Sequence, residues 1–270
     1  MSVEIRSREG RVLYHLANAS TVRDGVQSAV AAQVDLSGAE LEGADLSRLN
    51  LEGAMLAGAN LVRANLCNTN MQEVDLREAD LTEAMVDGAN LEDADLSQAV
   101  LVGASSVGSN FENARLDGAR LSRAVLDGAN LEEVDLRGAE LDGARLLRAN
   151  LERVNLDRAK AAGASLARAN IERANLRDAD LSGADLTGAN LERSDLRGAK
   201  LVGAILRGAN VERCDLRHAD LSNADLREAN LERCSIEGAI LTGANLESTN
   251  LEGARGRPAS ISSTSPRPYR

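Results

Sequence analysis

The chain has 270 residues, a formal charge of −11 and 1% aromatic residues, with one Phe, two Tyr and no Trp. Its apolar 43% is mostly Leu, Ala and Val, so a thick core built on aromatic side chains is excluded. Two His, three Cys and no apolar run approaching ~18 residues argue against a metal centre, a disulfide framework and a membrane span. The start, Met1 to Arg6, lacks a signal-peptide apolar stretch. A soluble, cytoplasmic protein without a cofactor is the expectation.

Residues 1–33 form a segment of their own. Val3–Arg6 and Arg11–Tyr14 alternate like strands about the turn Ser7-Arg8-Glu9-Gly10. Ser20 then reads as the N-cap of a helix over Thr21–Ala32, with Val22, Val26, Ala29 and Val30 on one face. This hairpin and helix are expected to cap the rest of the chain.

From Val34 to Gly253 the sequence is 44 consecutive quintets without insertion or deletion. Leu fills 36 of the 44 centres; the others are Met71, Val86, Ser106, Phe111, Ala161, Ile171, Val211 and Ile236. A small residue, usually Ala, stands two positions before each centre, and Gly is frequent two positions after. A period of five suits neither a straight strand nor a helix. It suits a chain that bends at each quintet, with the small residue and the centre pointing inward and the next pair forming a corner, often with Gly.

A second period sets the number of sides. Asn recurs every 20 residues from Asn50 to Asn250, and 20 is four quintets. The expected fold is therefore an all-β solenoid, a four-sided parallel β-helix of about 11 coils, at roughly 4.8 Å per coil about 53 Å long. The Asn column is expected to hold neighbouring coils together through stacked amides. The domain reading is 1–33 cap, 34–254 β-helix, and 255–270 a flexible tail holding all three Pro and four Arg.

Quintets such as Ala44-Asp45-Leu46-Ser47-Arg48, Ala89-Asn90-Leu91-Glu92-Asp93 and Ala184-Asp185-Leu186-Thr187-Gly188 resemble the pentapeptide-repeat proteins. The resemblance covers about four-fifths of the chain. It implies a right-handed quadrilateral β-helix. It also implies a binding protein: some members mimic B-form DNA, bind type II topoisomerases and protect against quinolones. Relatives that bind topoisomerases usually dimerise through a C-terminal helix, which a segment with Pro258, Pro266 and Pro268 does not suit.

Elsewhere the chemistry is sparse. Ser105-Ser106-Val107-Gly108-Ser109 and Lys160-Ala161-Ala162-Gly163 break the consensus and are expected to loosen the coil. Cys214 and Cys234, 20 apart at the inward small position, are expected to stack as buried thiols rather than as a disulfide. Cys67 is expected to be exposed. No catalytic constellation involves His15 or His218, so catalytic, cofactor-binding and metal-binding residues are all expected to be absent.

Charge is the remaining signal. Residues 34–143 carry 22 acids and 7 Arg, whereas residues 144–254 carry 17 acids and 16 bases. Two residues after the Asn of this period stands a Glu in nearly every coil, and in the second stretch five of these six Glu are followed by Arg (Arg153, Arg173, Arg193, Arg213, Arg233), which can pair along and between coils. In the first, the same corner holds Glu73, Asp93 and Glu133. The excess there amounts to roughly one charge per 1.8 Å of coil, against one per ~1.7 Å for double-stranded DNA. The candidate acidic binding surface is Glu73, Glu92, Asp93, Glu112, Glu132 and Glu133, supported by Asp75, Asp95 and Asp117 on the adjoining side. The expected function is a non-enzymatic protein-binding rod, a DNA mimic acting on a nucleic-acid-binding enzyme such as DNA gyrase. The alternative is a rigid scaffold presenting its cap or tail to a protein partner. Neither reading involves direct nucleic-acid or membrane binding, and the chain is expected to be a monomer or an end-to-end dimer.

Overall fold

A computed structural model describes residues 2–261, the side chain of Ile261 excepted. The chain forms two compact units, Met1–Asp135 and Leu136–Arg270. Unit 1 opens with β1 (Ser2–Arg6), β2 (Val12–Ala17) and α1 (Val22–Ala31). The strands pair antiparallel, with Val3 opposite Leu16 and Ile5 opposite Tyr14, and the register shifts between Ile5 and Arg6. Ile5, Val26 and Ala29 are buried beneath one another's elements, and the Tyr14 hydroxyl lies 2.8 Å from that of Ser28.

The helix departs from its sequence reading at both its cap and its face. Thr21, not Ser20, is the N-cap: its hydroxyl accepts the Asp24 N–H at 3.1 Å, and the Asp24 carboxylate accepts the Thr21 N–H at 3.1 Å. This reciprocal pair requires an acidic or amide side chain three residues after the cap, which Thr21 has and Ser20, followed by Arg23, lacks. Val22 is 42% exposed, and Gly25 takes a place on the buried face instead. A β-carbon on Gly25 would stand 3.1 Å from both Val3 and Ile5, so the glycine allows close packing on β1.

The remainder of unit 1 is five coils of four quintets, in a right-handed four-sided parallel β-helix. Four ladders run through it, for example Asp45–Asn65–Met85–Ser105–Val125 and Asn50–Asn70–Asn90–Asn110–Asn130. From Leu36 to Leu116 the centres donate their N–H to the next coil, as Leu51 does to the Asn70 carbonyl at 2.7 Å. Unit 2 repeats this geometry in six coils, with ladders such as Asn150 through Asn250. All quintet centres are buried except Leu251, which is partly exposed. Burying each Leu contributes roughly 1.5–3 kcal/mol.

Every corner residue, from Gly38 to Gly253, has positive φ. Twenty are Gly and 24 are not; Arg, Glu and Asn are the commonest of these. A single positive φ at the third turn position, closed by a bond such as Ala39 N–H to the Leu36 carbonyl at 2.9 Å, is the type II turn. The left-handed region costs L-residues roughly 1–2 kcal/mol each. The ladder offsets that cost, because the corner N–H also bonds the next coil, as Glu73 does to the Glu92 carbonyl at 2.9 Å.

The Asn column is built as its period suggests. The side-chain amide of Asn70 donates to Asn50 Oδ1 at 2.8 Å and that of Asn110 to Asn90 at 3.0 Å; in unit 2 Asn210 donates to Asn190 at 3.0 Å. Apart from that of Asn170, each Oδ1 also accepts the N–H two residues on, as Asn110 does from Glu112 at 3.3 Å. Asn alone among short side chains both donates and accepts in this way.

The irregular quintets do not loosen. Ser106 and Ser109 are each 1% exposed, and the Ser109 hydroxyl donates to the Val86 carbonyl at 2.7 Å. Ser106 and Phe111 are consecutive centres, so the smallest polar centre and the largest apolar one share the interior of one coil. Ala161 is likewise buried. Cys214 and Cys234 are free thiols that donate to the Leu191 and Val211 carbonyls, both at 2.8 Å. Burial drives both thiols up, Cys234 to about 12.

The segment expected to be flexible from Arg255 begins instead as further coil. Arg255 bridges Ser235, Gly238 donates to the Arg257 carbonyl at 2.9 Å, and β4 (Ser260–Ile261) pairs parallel with β3 (Ile240–Leu241). Pro258 stands five residues after the Gly253 corner, where φ would have to be positive. Its ring fixes φ near −65°, so the quintet turn cannot repeat there. The rest of the tail, 262–270, lies outside the described residues.

Candidate functional site

The nine acids singled out by sequence all belong to unit 1. The 20-residue spacing places Glu92, Glu112 and Glu132 in one corner column, with Glu73, Asp93 and Glu133 in the next position. Adjacent coils are ~4.8 Å apart, so the column presents carboxylates at a spacing shorter than the screening length of ~8 Å at physiological salt. Glu73, Asp93 and Glu133 hold positive φ, at 55°, 57° and 59°. All three are exposed. Glu73, Glu92 and Asp93 make no ion pair or side-chain hydrogen bond among the described residues. Glu112 accepts the side-chain amide of Asn130 at 3.2 Å. Glu132 and Glu133 are engaged in interactions of their own.

The adjoining side differs from the sequence reading, because its carboxylates are paired with arginines. Asp75 holds Arg77 through two bonds, Nε to Oδ1 at 2.8 Å and Nη2 to Oδ2 at 2.6 Å. The Arg77 hydrogen bond keeps the Asp75 carboxyl below its ordinary range. Arg115 bridges two coils, with Nη1 at 3.3 Å from Asp95 and Nη2 at 3.5 Å from Asp117. The Ser97 hydroxyl lies between the same two carboxylates, 2.5 Å from Asp95 and 2.7 Å from Asp117. The cause is reach: an Arg two residues after an Asp, or one coil above it, spans the short gap that the coil spacing leaves.

Sequence reasoning missed Glu78 and Glu83, exposed corner acids at φ 58° and 57° without ion pairs among the described residues. They fall outside the column headed by the Asn ladder. The signal that could have found them is the corner position itself, the second residue after each centre.

The equivalent corner of unit 2 is a staircase of ion pairs. Arg173 contacts Glu152 at 3.2 Å and Glu172 at 3.3 Å, and Arg193 contacts Glu172 at 3.7 Å and Glu192 at 3.4 Å. Arg213 contacts Glu192 at 3.5 Å and Glu212 at 3.4 Å, and Arg233 contacts Glu232 at 3.4 Å. Arg173, Arg193 and Arg213 each link their own coil to the one before. A parallel set of Asp–Arg pairs two residues apart (Asp195–Arg197, Asp215–Arg217, Asp225–Arg227) accompanies the staircase.

Among the described residues no group of three or more His, Cys, Asp and Glu is placed to hold a metal ion. No helix is long and apolar enough to cross a membrane. Two surface hollows of about 370 Å³ flank the cap, one lined by Arg23, Arg48, Cys67 and Met85, the other by Ser7, Arg8, Arg11 and Ser37. Cys67 is half-buried there rather than fully exposed.

The sequence model for pentapeptide repeats matches in eight copies, over residues 27–61, 59–98, 89–128, 107–143, 149–188, 174–213 and 214–253. Among solved structures, the chain is similar to HetL, a pentapeptide repeat protein involved in heterocyst differentiation regulation in the cyanobacterium Nostoc sp. strain PCC 7120. The identity is 34%, over 90% of this chain and 100% of that one, with a TM-score of 0.51. A pentapeptide repeat protein of the Arabidopsis thaliana thylakoid lumen is 31% identical over 34% of this chain and 65% of that one, with a TM-score of 0.34. QnrB1, a plasmid-mediated fluoroquinolone resistance protein, is 22% identical over 72% of this chain and 91% of that one, with a TM-score of 0.37. No curated protein sequence shows a significant match.

Proposed function

Because the chain belongs to the pentapeptide-repeat family, we propose that it is a non-enzymatic protein-binding β-helix whose acidic corner in unit 1 mimics DNA. The partner of such a corner is a nucleic-acid-binding enzyme, with a topoisomerase such as DNA gyrase as the first candidate. The observation that carries this reading is a contrast at one corner position. In unit 1 Glu73 and Asp93 stand exposed, with Glu92 half-exposed beside them, and none has a cationic partner among the described residues. In unit 2 the same position is Arg, paired to Glu. Carboxylates fixed on stiff turns can occupy sites where a partner's Arg and Lys receive phosphates, and little ordering cost attends their binding. With Asp75, Asp95 and Asp117 held by arginines, the working surface narrows to the corner itself, extended by Glu78 and Glu83.

The test is a supercoiling assay with wild type and with the triple variant Glu73→Gln, Glu92→Gln, Asp93→Asn. The expected result is inhibition by wild type that weakens in the variant and falls steeply with added salt. Wild type leaving gyrase and other DNA enzymes untouched at micromolar concentration would remove mimicry and favour a scaffold, for which the cross-coil ion pairs of unit 2 supply stiffness.

A further inference from the structure

We propose that the hollow where α1 meets the first coils binds a small carboxylate bearing a short apolar chain. The first observation is its size and lining. It measures about 370 Å³, within the ~300–1,000 Å³ of sites that hold small molecules, and Arg23 of α1 faces Arg48, Cys67, Asn68 and Met85 of the coils across it. All five belong to unit 1.

The second observation is a set of polar groups without partners. Arg23 Nη1 donates to the Ser47 carbonyl at 2.5 Å, which anchors the guanidinium at the rim and leaves its other donors free. Arg48 and Asn68 make no ion pair or side-chain hydrogen bond among the described residues. They are consecutive corners of one column, both at φ 58°, on coils ~4.8 Å apart. The next corner of that column is Gly88, over which the Asn68 side chain leans. In the other hollow beside the cap, by contrast, Arg8 already pairs with Asp80 at 3.8 Å.

Charge and surface then select the ligand. Asp45 is the one acid lining the hollow, and its Oδ1 accepts the Ser47 N–H at 3.1 Å and the Asn65 side-chain amide at 3.0 Å. Arg23 and Arg48 against Asp45 leave the lining at +1 in a chain of net charge −11, and one carboxylate balances it. Guanidinium forks take carboxylates through two parallel bonds. Met85, 46% exposed, offers an apolar wall. The Asn68 amide both donates and accepts, which suits a polar group beside the carboxylate. A free short-chain acid and the C-terminal residue of a peptide both present this chemistry.

Cys67 lines the hollow and has a free thiol, so it reports occupancy. The experiment is pulse alkylation of the full chain with iodoacetamide, read by mass spectrometry, with millimolar hexanoate or N-acetyl-leucine present. Both acids are expected to slow Cys67 alkylation at least fivefold, and the neutral hexanamide should not. Stronger protection by N-acetyl-leucine assigns the site to a peptide C-terminus, and stronger protection by hexanoate to a free acid. Arg48→Gln and Asn68→Asp, each compared with itself without ligand, should lose the protection. Arg123→Gln, at an exposed corner of unit 1 outside the hollow, should keep it. Circular dichroism verifies that each variant is folded, and calorimetric titration with both acids is the independent readout. Neither acid binding at tens of millimolar, equal protection by hexanamide, sodium chloride or inorganic phosphate, or full protection in Arg48→Gln overturns the proposal. The acidic corner takes no part, so failure here leaves the supercoiling assay's meaning intact.

Discussion

The imidazole of His218 fills the space into which a β-carbon on Gly238, the equivalent corner one coil later, would project. The two residues hold φ of 61° and 69°. A corner side chain therefore leans over the next coil, and glycine there makes room for it. Gln98 stands in the same relation to Gly118, and its amide donates to the Asp117 carbonyl at 3.0 Å.

Gly238→Ala should destabilise unit 2 by about 1–2 kcal/mol through backbone strain alone, and by more through displacement of the imidazole. The double variant His218→Ala, Gly238→Ala should recover the second part and not the first. Urea unfolding measures both, and a single variant as stable as wild type would contradict the packing described.

Ser106→Leu should cost about 1–3 kcal/mol by overfilling a coil that already holds Phe111. Combined with Phe111→Leu, much of that loss should return, since total volume is then closer to that of neighbouring coils. Strict additivity of the two changes would show that the centres do not share space.

Acid should loosen both units. The Asp75, Asp215 and Asp225 carboxyls are lowered from 3.8, chiefly by hydrogen bonds from Arg77, Arg217 and Arg227. A group with a lowered folded value binds its proton more readily when unfolded. Its stabilisation is therefore complete above about pH 4 and fades as pH falls further. Thermal melting of wild type and Arg217→Gln between pH 7 and pH 2.5 is the measurement. The wild-type advantage should be present at pH 7 and shrink below pH 4.

Cys67 should react with an alkylating reagent in the folded protein, while Cys214 and Cys234 should stay protected until unfolding. The last two are buried and their thiols are driven up by desolvation. Cys214→Ser should be tolerated within about 1 kcal/mol, because Ser194 already occupies the same column and donates to the Ile171 carbonyl at 2.6 Å. Mass spectrometry after a pulse of reagent, with urea unfolding for the variant, decides both.

The period, the four sides, the buried Leu centres and the Asn ladder were all legible in the chain itself, because each arises from a local geometry repeated every five or 20 residues. Cap and tail were legible only in outline. Hairpin and helix could be read from alternation and spacing, but the choice of Thr21 over Ser20 depended on where Asp24 could fold back. The turn at Pro258 follows from its ring, while the pairing of Ser260–Ile261 with Ile240–Leu241 required the last coil to be in place. Which acids stay unpaired was settled by the stacking of the coils. Asp95 and Asp117 look as bare in sequence as Glu92 and Asp93, yet Arg115 spans two coils to reach both. Neutralisation depends on side-chain reach across a gap of ~4.8 Å between residues 20 apart, and that distance exists only once the coils are stacked.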